Sequence, residues 1–556
     1  MPFRVILILL VFISCSTSKN IKTYSVFDNS LKKLSFSEHE RSNWQHKDIV
    51  NDSIPGISTE KAYLYLKKKK GIPTIVAFID SELDISHNDL RNQIWTNKNE
   101  IPNNAVDDDN NGYTDDIHGW NYLGTKKGDS LPYTSFSYIR YIKKYDSIFK
   151  DTSLDRNTLL RDRRLLYEQY LKATEVYDKI SIQKKRELKF YNKIDSTYDA
   201  NNKIIKNFLK TDEYNLDQLD SISKIVTNID LKVALKKMIS YLQNGASKKR
   251  ITEEKINVIN FLEKLLNKQR NDRIFTNDDS NTITDDSYGN NNVQGTYSIN
   301  HGTKVTSVLA ANRNNDEGIK GVFDNVQVMS LNVIAYGDPF DKDIALAIRY
   351  AVNNGAKIIN LSLSNAFSVH RKWVDDAIRY AAKNDVLIVT SSGNESIDVD
   401  TEMNYPNDDD YLNEEFVSNF IKVGASTFYA DKRLVSDISN YGKRQVDIFA
   451  PGENIMTLKR NGFQFVNGTS YSAPIVSGVA ALIRSHYPNL TAAEVKQIIM
   501  ESGVSYDIMV NKPSTSKEKE LVPFSSLSKS GKIVNAYNAL LMAEEVSKKK
   551  KKKKRK

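Results

Sequence analysis

From Val326 onward, short runs that are apolar at nearly every position alternate with amphipathic helical patterns, and this alternation leaves few architectures open. The runs are VQVMSLNVI (326–334), KIINLSLS (357–364), VLIVTSS (386–392) and FIKVGAS (420–426). TIVAFID (74–80) is an earlier run of the same kind. A strand that is apolar on both faces has to be buried on both faces, which points to a parallel sheet covered by helices. DKDIALAIRYAVNNG (341–355), which closes on Gly355, and WVDDAIRYAAKN (373–384) supply the helical patterns between strands. TAAEVKQIIMES (491–502) opens with Thr491 and, three places on, Glu494, the signature of a capping box. The expected fold is α/β, with three layers around a mainly parallel sheet.

An open parallel sheet places its ligand sites at the C-terminal ends of its strands. Reading just past each run gives Asp80, then Ser362, Leu363 and Ser364, then Gly393 and Asn394. His301 heads HGTKVTSVLA, a glycine turn entering a helix. Ser470 heads SYSAPIVSGVAALI, with Pro474 placed where a first helical turn tolerates it. An aspartate, a histidine and a serine therefore converge on one rim, in that chain order. Read alone, a serine at such a position is a helix cap; beside a histidine and an aspartate it is a nucleophile.

The motifs VAFIDSELDISHNDL, HGTKVTSVLA, SSGNES and NGTSYSAPIVSGVAALI together resemble those of subtilases, the subtilisin-like serine proteases, over about 74–125 and 285–510. The resemblance implies a subtilisin-like domain and a serine endopeptidase. Ser470 would be the nucleophile, His301 its general base and Asp80 the group that orients the imidazole. Asn394 would join the Ser470 amide in binding the oxyanion. Ser362, Leu363 and Ser364 would form a cleft wall that pairs with polypeptide substrates. If so, Ser470 Oγ and a His301 nitrogen should lie within about 3–3.5 Å. Two positions depart from the family: Glu82 and Lys304 replace the usual glycine and histidine. They keep a second reading open, an inactive subtilase-fold scaffold acting through a bound partner.

Within VDDDNNGYTDD (106–116), Asp107, Asp109 and Asn111 are spaced by two and precede Gly112, then Asp115 and Asp116. Hard oxygen donors at this spacing resemble the start of a calcium loop. Its twelfth position holds His118 rather than glutamate, so a solvated acidic turn stands beside the structural Ca2+ reading. From about Ser135 to Asp272 there is no proline and one glycine, Gly245, and apolar residues recur at helical spacing. The expected organisation is a domain over 56–134 and 276–546, with a large α-helical insertion at 135–275. That insertion is read either as a charged accessory bundle or as an element that limits access to the cleft or docks a protein partner.

Arg4 followed by VILILLVFI (5–13) has the form of an export signal, too short to span a bilayer. It ends at Cys15, the single cysteine, as in bacterial lipoprotein signals; an ordinary secretory signal is the other reading. The first implies an exported protein held in the bacterial cell envelope, at the outer membrane or periplasmic face, by lipid on Cys15, with residues 16–55 as tether and lead-in. Internal disulfides are excluded. The net charge of +10 sits almost wholly in Lys548–Lys556, leaving +1 for the rest, so no nucleic-acid partner is expected. Residues 547–556 read as a disordered basic tail.

Overall fold

The computed structural model describes residues 41–150, 159–295, 299–315, 318–410 and 414–555. The strands are β1 (Thr74–Asp80), β2 (Gly119–Asn121), β3 (Val326–Asn332), β4 (Ile358–Leu361), β5 (Leu387–Ser391), β6 (Phe420–Ser426), β7 (Ile448–Pro451), β8 (Ile455–Leu458), β9 (Phe463–Val466), β10 (Val504–Ser505), β11 (Met509–Asn511), β12 (Leu521–Pro523) and β13 (Lys532–Ile533). Nine of them form one sheet in the order β10-β13-β7-β6-β5-β4-β1-β3-β2. Every pairing in it is parallel except β10 with β13. The pairs β8–β9 and β11–β12 are separate antiparallel ribbons.

Alternate residues of β1 enter different cores. Val76 and Phe78 face one side with α7 (His301–Ala310), α10 (Thr469–His486), α11 (Ala492–Ser502), α12 (Ala536–Arg555) and α1 (Thr59–Leu66). Ala77 and Ile79 face the other with α8 (Asp341–Asn353) and α9 (Arg371–Lys383). The period of two along a strand thus feeds both layers, which explains why the runs carry almost no polar residues. The fold is the expected α/β/α arrangement around a large, mainly parallel sheet.

Between β2 and α7 lie α2 (Ser137–Phe149), α3 (Arg161–Leu209), α4 (Leu216–Ile225), α5 (Ile229–Gln243) and α6 (Lys248–Asn260). One small core joins α2 to the start of α3 and to Phe367 of the sheet domain. A second gathers Ile205, Leu219, Leu231 and Leu235 at the far end. Asn215, Asn228 and Ser247 cap α4, α5 and α6 with side-chain oxygens. The chain returns through a buried charge cluster. Arg273 binds Asp343 with two hydrogen bonds, at 3.0 and 2.7 Å, and also binds Asp278, which accepts from Lys342. Tyr288 donates its hydroxyl to the same Asp343. Asp343→Ala is expected to cost about 3–5 kcal/mol, because it removes one carboxylate of a buried ion pair and leaves Arg273 and Lys342 sharing Asp278. A chemical-unfolding midpoint equal to wild type would contradict that account.

Three local expectations need correction. Residues 41–55 are not a loose lead-in: Trp44 is 1% exposed and donates its indole N–H to Glu453 O, and Ile54 and Ile57 lie in the same core. These isolated apolar residues lack a period, so only the packed fold reveals their burial. The basic tail continues α12 to Arg555. Lysine is a fair helix former, its charge suits a helix C-terminus, and Lys548 and Lys550 reach Glu544 and Glu494. Finally, α10 starts at Thr469, so Pro474 lies inside the helix rather than in its first turn. Residues 1–40, including Cys15, lie outside the described residues.

Candidate active site

β1 ends at Asp80, which is 1% exposed. Its Oδ1 accepts from the Ser81 amide and from His301 Nδ1, each at 2.7 Å. With Nδ1 donating, the lone pair of His301 is on Nε2. The imidazole begins α7 and can stand this close because residue 302 is glycine: a Cβ there would lie 2.4 Å from Ser81 O. Burial alone pulls the His301 pKa down, but the charge and hydrogen bond of Asp80 outweigh it, and the net shift is upward from 6.5.

Ser470 is the second residue of α10. The chain reaches it through Gly468 at φ 146°, a conformation that side chains disfavour. The Ser470 amide belongs to the first turn and has no acceptor within the helix. Pro474 lacks the N–H that would have bonded to the Ser470 carbonyl. That carbonyl instead accepts from Ser362 Oγ at 2.7 Å. Ser362 Oγ in turn accepts from Asn360 Nδ2, and Asn360 Oδ1 accepts from Ser477. This buried chain fixes the backbone of Ser470 against the end of β4.

Asn394 follows β5. Its Oδ1 accepts from the Thr469 amide at 2.8 Å and from Thr469 Oγ1 at 3.1 Å. Held by its oxygen, the carboxamide has only its Nδ2 donors left to offer, beside the Ser470 amide. Leu363 O is tied to Thr390 and Ser391 of β5. By strand alternation, the Ser362 and Ser364 backbones then face the opposite way, towards the gap above Asp80. The expected Ser470–His301 hydrogen bond is not formed: the serine hydroxyl donates to Ser362 O at a long 3.4 Å. Glu82 does not intrude. It is buried against Gly295, where an added Cβ would lie 2.2 Å from its Cδ. Lys304 lies one turn past His301, and burial lowers its own pKa.

Of the expected residues, the acidic loop brings Asp109 and Asp116 together with a further carboxylate, Glu100. Asp115 accepts from the Asn104 and Ala105 amides, Asp107 from the Asn111 and Gly112 amides, and Glu100 from the Asp108, Asp109 and Asp115 amides, so all three carboxylates help to shape the loop. The ligand oxygens of Glu100, Asp109 and Asp116 lie within 4.8 Å of one another. Burial pushes the Asp116 pKa up to about 6, and hydrogen bonds from Tyr350, Asn97 and Asn111 oppose it. Asn97 and Asn111 turn their Nδ2 atoms towards these carboxylates, while their Oδ1 atoms accept from the Asn99 and Tyr113 amides. The donors are all hard oxygens and fit calcium. Glu100 was missed because it lies outside the spaced motif. Asn360 and Ser477 were missed too, although a polar residue inside an apolar run was the available signal.

The profile of the subtilase family matches residues 71–524. The chain is 35% identical over 205 residues to a thermophilic serine proteinase of Bacillus sp. (strain AK1), covering 36% of this chain and 46% of that protein. It is 35% identical over 210 residues to the major intracellular serine protease of Bacillus subtilis (strain 168), covering 37% and 60%. It thus spans less than two thirds of either relative. A solved cold adapted subtilisin-like serine proteinase is 24% identical with a TM-score of 0.32, covering 39% of this chain and 72% of that one.

Proposed function

The chain belongs to the subtilase family, and on that premise we propose that it is a serine endopeptidase acting through Asp80, His301 and Ser470. The observation that carries this is the 2.7 Å bond between buried Asp80 and His301, on the same rim as a serine at the head of a helix. Ser470 Oγ attacks the peptide carbonyl carbon, and His301 Nε2 takes its proton. The tetrahedral oxyanion lies between Asn394 Nδ2 and the Ser470 amide, where the helix N-terminus adds positive potential. The proton passes to the leaving amine as the C–N bond breaks. Water, deprotonated by the same nitrogen, then releases the acyl group. The reaction needs Ser470 to rotate from Ser362 O towards the imidazole; hydrogen bonds of this kind are often loose without substrate.

Polypeptides are the substrates of this reading, paired along Ser362–Ser364, and nucleic acid has no part in it. Calcium is its structural ion, which Glu100, Asp109 and Asp116 would hold. A chelator is then expected to lower the thermal midpoint, calcium to restore it, and Asp116→Asn to remove the difference. A midpoint indifferent to both would leave the loop an acidic turn. The leader motif supports export and a lipid anchor at Cys15 in the cell envelope; metabolic labelling with a palmitate analogue, lost in Cys15→Ser, tests that.

The full-length protein in detergent with calcium is expected to form a covalent adduct with a fluorophosphonate probe, mapped by mass spectrometry to Ser470. The Ser470 hydroxyl bonds Ser362 O, at 3.4 Å, and not His301, which is the observation on the side of the second reading, an inactive scaffold whose helical segment binds a protein partner. Folded, calcium-loaded protein that stays unlabelled would decide for it.

A further inference from the structure

β1 stops at Asp80, while the chains that leave its neighbours β3 and β4 run on past it. They bound a gap two strand spacings wide, about 9.6 Å, which one extended peptide fills. On the β4 side the open edge is Ser362 and Ser364. On the β3 side, Tyr336 exchanges hydrogen bonds with Pro132 and Thr134, so alternation turns Ala335 and Gly337 towards the gap. Ser362 marks the reacting end, since its carbonyl lies 3.4 Å from Ser470 Oγ. A substrate strand antiparallel to Ser362–Ser364 would carry the residues before its scissile bond away from Ser470, towards α2.

α2 crosses that path. At its start, Ser137 donates its amide and hydroxyl to Asp338 Oδ2 at 2.8 and 2.7 Å. Arg140 donates to Asp338 O and Pro339 O, at 3.1 and 2.6 Å, and its guanidinium lies 4.1 Å from the Phe340 ring centre. These contacts are all with the chain that follows β3. On a neighbouring face of the same turns, Tyr138 and Tyr141 pack edgewise or tilted on Phe367, and Lys144 donates to Val369 O at 2.7 Å. Those are with the chain that follows β4. Within its first two turns α2 thus touches both chains that bound the gap, and a helix is about as wide as the gap itself. Pro339, Phe340, Phe367 and Tyr138 are all buried, so this is packed structure rather than a loose flap.

The distance to this wall sets a count. A substrate residue beside Ser362 adjoins the scissile bond, and one beside Ser364 lies two residues upstream. Asn365 pairs with Tyr405 on the side away from the groove, and Phe367, two residues on, packs against Tyr138 and Tyr141 of α2. At about 3.3 Å per residue, three or four upstream residues fill the groove. We propose that α2 closes the upstream end of the groove, so that the protein removes short peptides, about four residues or fewer, from the N-termini of unfolded chains. This rests on the Asp80–His301–Ser470 protease reading above and narrows its endopeptidase activity to bonds near a substrate's N-terminus.

The test uses full-length protein with calcium and a mixture of unrelated, unstructured peptides, each long enough to extend well past the groove. First cleavage sites are read by mass spectrometry at low conversion. The expected result is first cuts clustered within about four residues of the N-terminus across unrelated sequences, with internal cuts about tenfold rarer or more, a bias of about 1.4 kcal/mol in the barrier. First cuts spread through peptide interiors, from protein whose Ser470 takes the fluorophosphonate probe, would overturn the inference and leave the protease reading standing. No products and no probe adduct would remove the protease reading, and the inference with it.

Discussion

Ser470→Ala is expected to lower turnover by about 10⁶-fold, the scale that loss of the serine has in subtilisin, a member of the same family. The fold has little reason to change. The Ser362 bond is to the Ser470 carbonyl, which alanine keeps, and Pro474 and Gly468 are untouched. Only the hydroxyl's long contact with Ser362 O is lost. The unfolding midpoint should therefore match wild type while acylation disappears. A remainder of about 10³–10⁴ over the uncatalysed reaction should persist, because Asn394 and the helix amides still bind the developing oxyanion. Activity kept within a hundredfold of wild type would mean that another group attacks, and the assignment of Ser470 would fall.

Local signals and long-range packing were not equally readable. Asp80, His301 and Ser470 could be placed because each stands at an element boundary: a strand end or a helix start. Strand ends and helix starts are written in short windows. The chain Ser477–Asn360–Ser362 that holds the Ser470 backbone could not be placed in advance, because Ser477 is far from the other two in sequence and meets them only through sheet order. Glu100 joins Asp109 and Asp116 for the same reason: its place beside them comes from the fold of the loop and not from the spaced motif. Trp44 had no periodic neighbours to mark it as core. The position of α2 across the groove was also illegible. Amphipathic spacing gives a helix and its apolar face, but the surface that face covers depends on where Asp338 and Phe367 end up.

Asp80→Asn should separate the two roles of that carboxylate. An asparagine in this position has an amide nitrogen as well as an oxygen. If the nitrogen faces Nδ1, the imidazole must carry its proton on Nε2, the atom that has to accept one from Ser470. Turnover is expected to fall by about 10⁴-fold, the scale of this change in other serine proteases. The second effect is on pH dependence. In the wild type Asp80 lifts the His301 pKa above 6.5 against the pull of burial and of Lys304. The base works when neutral, so activity should fall as pH drops through a value above 6.5, and be full on the alkaline side. In the variant the lifting charge is gone, while burial and Lys304 remain, both acting downward. The acid limb of kcat/KM should therefore move to lower pH as its height collapses. A loss of height with an unmoved limb would mean that something other than Asp80 sets the base's pKa. A limb that moves without a loss of height would mean that orientation of His301 by Asp80 contributes little to the rate.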